Sequence, residues 1–359
     1  MKKQHVFMIL VLWAALTAFS WFGSAKQMSD SERRPLAQMP AVSLESIGSG
    51  KFMKDFESYS LDQFPLRDGF RTVKSLFHYY ALGQKDNNGI YLHDGYAVKQ
   101  EYPLNTDSIN HALERFNHIY EKYLDGSKVY MAVVPDKGYY LAEKAGQLSM
   151  DYEALFDLVK TGMPWAEHID LTGSLTLTDY YRTDTHWKQE TLFSAAQTIC
   201  DALGVTAPEQ IPATVLDRPF YGVYYGQAAL PMEPDALAIL ELDYLKHCTV
   251  YDHETGKTGA VYDMTKLDSR DLYDVYLSGA RALLTLDNPN GVAGKELIVF
   301  RDSFGSSMVP LLIQDYSKVT LVDTRYLSSD LLDQYVDFHG QDVLFLYSGL
   351  ILNSSSAIK

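Results

Sequence analysis

The chain has 359 residues, 47% of them apolar, enough for one large core or two modest ones. Forty-six acidic against 31 basic residues give a formal net charge of -15. With no basic stripe in the sequence, that balance argues against nucleic acid or an anionic membrane surface as the main partner, because both need clustered Lys and Arg. Two cysteines, Cys200 and Cys248, fit neither a zinc cluster nor a dense disulfide framework, and whether they pair is left open.

In chain order, Lys2 and Lys3 precede an apolar run from Val6 to Phe22 that only Thr17 and Ser20 interrupt. The pattern predicts export over residues 1–25, by a signal peptide cut near Gly23-Ser24-Ala25 or by a retained membrane anchor. Residues 26–45 read as a linker and residues 46–359 as one domain. Within it, "FMKDFESYSLDQFPLRDGFRTVKSLFHYYAL" is spaced for one or two amphipathic helices broken at Pro65. "NNGIYLHDGYAV" carries turn signals beside short β runs.

The spacing predicts a helix over 107–125, capped by Asp107 or Ser108 and ended by Gly126. "KVYMAVVPDK" follows as a continuous apolar strand of the kind buried on both faces. The rhythm recurs in "HIDLTGSL" with a helix over 187–203 and in "ELIVFRDSFG" with a helix over 306–315. It returns in "KVTLVDTRY" with a helix over 329–339, and "DVLFLYSGL" ends it. Such alternation predicts an α/β fold with a mainly parallel sheet. Between about 205 and 290 the rhythm is lost, which reads as an irregular insertion.

Two stretches carry chemistry. In "LIVFRDSFGSSMVPLLI", Ser303 falls where a strand ends and a helix begins, so its hydroxyl lies at the carboxyl end of a parallel strand near free backbone N–H groups. Arg301 occupies the first glycine position of the G-x-S-x-G nucleophile elbow, so that form is not met. A serine needs a base, and the base needs an orienting partner. "YYRTDTHWKQE" supplies both: Asp184 and His186, two apart in an extended segment, project to one side. Each residue alone has an ordinary structural reading, Ser303 as a helix cap and His186 as a packing residue. Together they predict that Ser303 Oγ and His186 Nε2 meet within hydrogen-bond reach, with Asp184 on the other ring nitrogen.

"TDTHW", "RDSFG" and "VDTRYL", with "SERRPLAQMP", "FESYSLDQFPLRD" and "VVPDK", resemble the DHHW family, relatives of the AlgX and AlgJ proteins of alginate O-acetylation. The resemblance covers roughly residues 30 to 350. It implies an SGNH-hydrolase-like α/β/α sandwich facing the cell exterior and working beside a membrane-bound O-acyltransferase. It also implies Ser303 as nucleophile, His186 as base and Asp184 as its orienting acid. Thr185 stands where the family pattern has its first histidine. Ala280, in "LSGARAL", stands where relatives often have a glycine-asparagine pair, so the backbone N–H groups of Ser303 and Gly279 become the candidate oxyanion donors. Lys137, Arg325 and Tyr326 end strands near the expected site and are candidates for binding an acyl or sugar group. An exposed lysine and an ion pair to a core carboxylate are the plainer readings of Lys137 and Arg325.

The expected function is a serine O-acetyltransferase acting on a cell-surface or secreted polysaccharide through an acyl-serine intermediate. A polysaccharide acetylesterase would use the same three residues, and a noncatalytic carbohydrate-binding scaffold would not need them. No metal or organic cofactor is expected.

Overall fold

The computed structural model describes residues 3–22 and 25–359, with the side chains of 16–22 set aside. Two compact units emerge. The first runs to Asn88 and takes in Val223–Met232; the second comprises Gly89–Gly222 and Glu233–Lys359.

In the first unit, Lys3–Phe22 is helical. Among the described residues no helix is long and apolar enough to cross a membrane. Of the expected cleavage site, Gly23 and Ser24 lie outside the described residues. The segment read as a linker carries a short ladder, Met28–Ser29 against Arg34–Pro35, and a helix, Leu44–Gly48. Helices Lys51–Asp62 and Arg67–Leu76 flank Pro65, where the missing N–H and fixed φ interrupt helical bonding. Arg34 hydrogen-bonds Asp62 through both terminal nitrogens and thereby holds that carboxyl down at about 2.

In the second unit the strands of an eight-stranded sheet are β1 (Val129–Val134), β2 (Glu167–Ile169), β3 (Thr249–Asp252), β4 (Lys257–Gly259), β5 (Leu283–Asp287), β6 (Val292–Arg301), β7 (Tyr316–Val322) and β8 (Asp342–Ser348). They lie in the order β4-β3-β5-β7-β6-β8-β1-β2. From β7 to β2 all neighbours are parallel. The other three strands, β3, β4 and β5, pair antiparallel and extend one edge. They come from the segment read as irregular, as does a hairpin of Thr214–Phe220 with Asp235–Ile239. Strands this short, some with only three or four residues, carry too little period to be read from sequence.

Four helices cover the sheet: α1 (Thr106–Tyr123), α2 (Tyr152–Gly162), α3 (Phe193–Leu203) and α4 (Gly305–Leu312). Side-chain alternation divides them into two layers. Tyr130, Ala132, Leu297, Val299, Leu344 and Leu346 face α3 and α4. Val129, Met131, Ile298, Phe300, Val343 and Phe345 face α1 and α2. A sheet buried on both faces explains the continuous apolar runs, since each residue has a helix to pack on and gains roughly 1.5–3 kcal/mol per large side chain. The expected α/β/α sandwich with a mainly parallel sheet is therefore the observed fold.

Several boundaries differ from expectation. Asn105 caps α1, its side chain accepting the Ser108 N–H at 3.1 Å, because Asp107 and Ser108 already lie inside the first turn. Helix α3 begins at Phe193 instead of 187. The stretch expected as a helix over 329–339 is a 3-10 turn, Ser329–Gln334.

Candidate active site

The Asp-x-His segment is a closed loop before α3. Tyr181 N–H donates to His186 O (3.0 Å), Lys188 N–H donates to Asp179 O (2.7 Å), and Tyr180 bridges Trp187. These bonds fold residues 179–188 back on themselves and keep 187–192 out of the helix. Asp235 holds the loop by accepting the N–H groups of Arg182 and Thr183 (2.9 and 2.8 Å) and the Thr183 hydroxyl (2.6 Å). Gly222 donates to Thr183 Oγ1 at 2.9 Å. It has to be glycine, because a Cβ there would come within 2.2 Å of Asp184 Cβ and 2.3 Å of Asp184 Cα.

The serine segment is a tight strand-to-helix turn. Asp302, fully buried, caps it by accepting the Phe304 N–H (3.0 Å), and it reaches β8 by accepting the N–H and hydroxyl of Ser348 (2.8 and 2.6 Å). Arg301 turns inward and donates to Asp302 O (3.3 Å), Ser306 Oγ (3.1 Å) and Gly279 O (3.5 Å). A glycine could make none of these bonds, so the departure from G-x-S-x-G has a structural role. Burial lowers the Arg301 pKa from its ordinary value, with Asp323 opposing.

The two segments meet. His186 Nε2 lies 2.8 Å from Ser303 Oγ, and His186 Nδ1 lies 2.6 Å from Asp184 Oδ1, which also accepts the His186 N–H at 3.1 Å. Asp184 is fully buried and His186 nearly so, while Ser303 keeps partial exposure. Trp187 fastens the loop to α4, its Nε1 donating to Ser307 Oγ (2.8 Å) and Phe304 O (3.1 Å), and Gln189 Nε2 donates to Ser307 O (2.8 Å). A hydroxyl, an imidazole and a carboxylate in this order can move a proton off the serine as it attacks a carbonyl carbon.

The remaining candidates fare differently. Gly279 is not a free oxyanion donor: its N–H donates to Tyr276 O (3.1 Å), and Leu277, Ser278 and Gly279 form a left-handed turn with φ of 54°, 59° and 81°. The N–H of Ser303 has no partner among the described residues. Lys137 is buried beneath the loop, not exposed in a cleft; its Nζ donates to Tyr181 O (3.0 Å) and Arg182 O (3.3 Å). Burial brings its pKa down to about 7, against the pull of Asp184, Asp235 and Asp136. Arg325 forms the ion pair, donating from Nε and Nη2 to the two oxygens of Asp323 at 2.8 and 2.6 Å. Tyr326 is half exposed, with the Arg325 guanidinium 5.5 Å from its ring. Among the described residues no cluster of His, Cys, Asp or Glu could hold a metal ion. Cys200 and Cys248 are free and buried.

Sequence reasoning missed Tyr273, whose ring stacks on His186, as well as Asp235, Gly222 and Asp302. The first three lie in the segment read as irregular, and only Asp302, beside Ser303 in "RDS", had a signal near it.

A strand-end serine, a histidine and a buried aspartate thus meet at one end of a three-layer α/β/α sheet. Residues 175–322 match the family described as DHHW protein. A DHHW family protein from Eubacterium siraeum is similar over 76% of this chain and 95% of its own, with 21% identity and a TM-score of 0.60. Bacillus cereus PatB1, solved with a sulfonyl adduct, is similar over 73% of this chain and 95% of its own, with 18% identity and a TM-score of 0.55. The O-acetyltransferase domain of Pseudomonas putida AlgJ is more distant, with 14% identity over 74% of this chain and 92% of its own and a TM-score of 0.47. No curated protein matches in sequence.

Proposed function

We propose that this protein is a serine-dependent O-acetyltransferase acting on a polysaccharide. The observation that carries the reading is the unbroken relay from Asp184 through His186 to Ser303, at 2.6 and 2.8 Å. Ser303 Oγ attacks the carbonyl carbon of an acetyl ester donor while His186 takes the hydroxyl proton. The tetrahedral intermediate collapses, the donor's leaving oxygen receives that proton from His186, and acetyl-Ser303 remains. A sugar hydroxyl then gives its proton to His186 and attacks the acetyl carbon, and Ser303 leaves with the proton returned. The Ser303 N–H is the oxyanion donor in this scheme. Tyr326, exposed at the end of β7, is the substrate-facing residue of the earlier candidates.

The site works outside the cytoplasm, at the membrane face or secreted, with a membrane-bound O-acyltransferase supplying the acetyl group. That part of the reading is supported by the two lysines and the apolar run at the N-terminus and by the family resemblance.

The test is to expose the full chain to a small activated acetyl ester with and without an oligosaccharide acceptor. Acetyl should be recovered on the peptide containing Ser303 and then on the sugar, and Ser303→Ala and His186→Ala should each lower turnover by orders of magnitude. Release of free acetate alone, undiminished by sugars, would identify an esterase. Turnover at the wild-type rate in Ser303→Ala would overturn the assignment of the nucleophile, and no turnover in the wild-type chain would point to a noncatalytic scaffold.

A further inference from the structure

We infer that Tyr273 is the positioning residue for His186: its ring fixes the tilt of the imidazole and stabilises the imidazolium formed when Ser303 gives up its proton. The inference rests on the acyl-serine reading above. The two rings lie face to face, with centroids 3.9 Å apart and planes 7° from parallel.

Asp184 and Ser303 hold the imidazole at its two nitrogens, and Cγ ties the ring to the backbone. Rotation about Cβ–Cγ would swing both nitrogens off their partners. A flat group against the ring face resists that rotation, and Tyr273 is that group. Phe304, 5.1 Å away and inclined at 56°, abuts the histidine without matching its plane.

Tyr273 is itself braced. Its hydroxyl pairs with Ser307 Oγ at 2.7 Å, and the same Ser307 Oγ accepts the Trp187 indole N–H at 2.8 Å. Because Trp187 follows His186 in the chain, these contacts close a ring of support around the histidine. The Tyr273 N–H donates to Asp271 Oδ1 at 3.0 Å, and Tyr276 meets the ring edge-on at 5.0 Å. Burial pushes the phenol pKa upward, so the hydroxyl stays neutral.

The electronic effect follows from the geometry. The face of an aromatic ring carries negative charge density and attracts a cation placed over it. The charged groups around the pair are Asp184 on Nδ1, Lys137 behind Asp184, and Asp302 and Asp271 near Tyr273. The ring adds a short-range contribution that exists only while the stack holds.

The experiment compares Tyr273→Phe, Tyr273→Leu and Ser303→Ala in the full chain, using hydrolysis of a small activated acetyl ester and the proton NMR of the His186 ring. Phenylalanine should keep kcat within about threefold, because the face remains. Leucine should lower kcat roughly 30-fold with KM little changed, the equivalent of the ~2 kcal/mol of a desolvated cation–π contact. The His186 ring protons should be shifted upfield by the tyrosine ring in the wild-type chain, a measurement that does not depend on any variant folding. Wild-type kcat in Tyr273→Leu, a Phe variant as impaired as Leu, or unshifted ring protons in the wild-type chain would each overturn the inference. Undiminished turnover in Ser303→Ala would overturn the acyl-serine reading instead and leave the NMR result standing.

Discussion

His186 Nε2 stands 2.8 Å from Ser303 Oγ, although 117 residues separate them in the chain. The contact is held from both sides: Asp302 ties the serine turn to β8, and Asp235 and Gly222 hold the histidine loop. Asp184 fixes which imidazole nitrogen faces the serine. Asp184→Asn should therefore lower kcat by about two to four orders of magnitude, yet retain more activity than Ser303→Ala. Steady-state kinetics on the activated ester check the order, and an Asn variant as inactive as Ser303→Ala would contradict it.

Gly222→Ala introduces a Cβ within 2.3 Å of the Asp184 backbone, which cannot be relieved by a rotamer change. The loop must shift, and a misplacement of about 1 Å can cost ~100-fold in rate. We expect a folded chain, judged by circular dichroism, whose kcat falls to about that extent. Unchanged kinetics would show that Asp184 tolerates displacement.

Lys137 gives a signed dependence of stability on pH. In the native chain it loses its proton near 7, whereas the unfolded chain keeps it up to the ordinary 10.5. Between these values the unfolded state binds more protons, so this group makes stability rise with pH, by at most about 1.4 kcal/mol per unit. Urea titrations should show the wild-type chain gaining on Lys137→Met from about pH 7 upward. Parallel curves would mean that the buried ammonium is better compensated than its two carbonyl contacts indicate.

Asp302→Ala should destabilise the second unit by roughly 2–4 kcal/mol, because the Phe304 N–H and both Ser348 donors lose their acceptor in a buried site. Chemical denaturation measures this loss. A change below about 0.5 kcal/mol would place the turn's stability elsewhere.

The two cysteines should resist thiol reagents in the folded chain and react fully after unfolding without reductant. Burial pushes Cys200 up to about 12 and Cys248 up to about 11, and no bond joins them. Unfolded protein that reacts only after reduction would reveal a disulfide.

The sequence by itself determined the parallel part of the sheet and the three residues that meet at its end. Apolar runs such as Val129–Val134 and Leu297–Phe300 require burial on both faces, and that requirement implies helices on either side. The serine at a strand end and the Asp-x-His spacing are likewise local patterns, so Ser303, His186 and Asp184 could be named before any contact was known. What surrounds them was decided by tertiary structure. Lys137 lies just past the strand that ends at Val134, at the start of a short helix, and the 179–188 loop closes over it and makes it a buried brace. Arg325 was open to two readings, and the contact with Asp323, two residues away, decided for the ion pair. Gly279 lost its role as a donor when a left-handed turn directed its N–H to Tyr276. Tyr273 stacks on His186 from a segment with no regular period, and no spacing rule encodes a contact between rings so far apart in sequence. Strand and helix periods are set by neighbours along the chain, whereas these contacts exist only once the α/β/α layers have brought distant loops to the same end of the sheet.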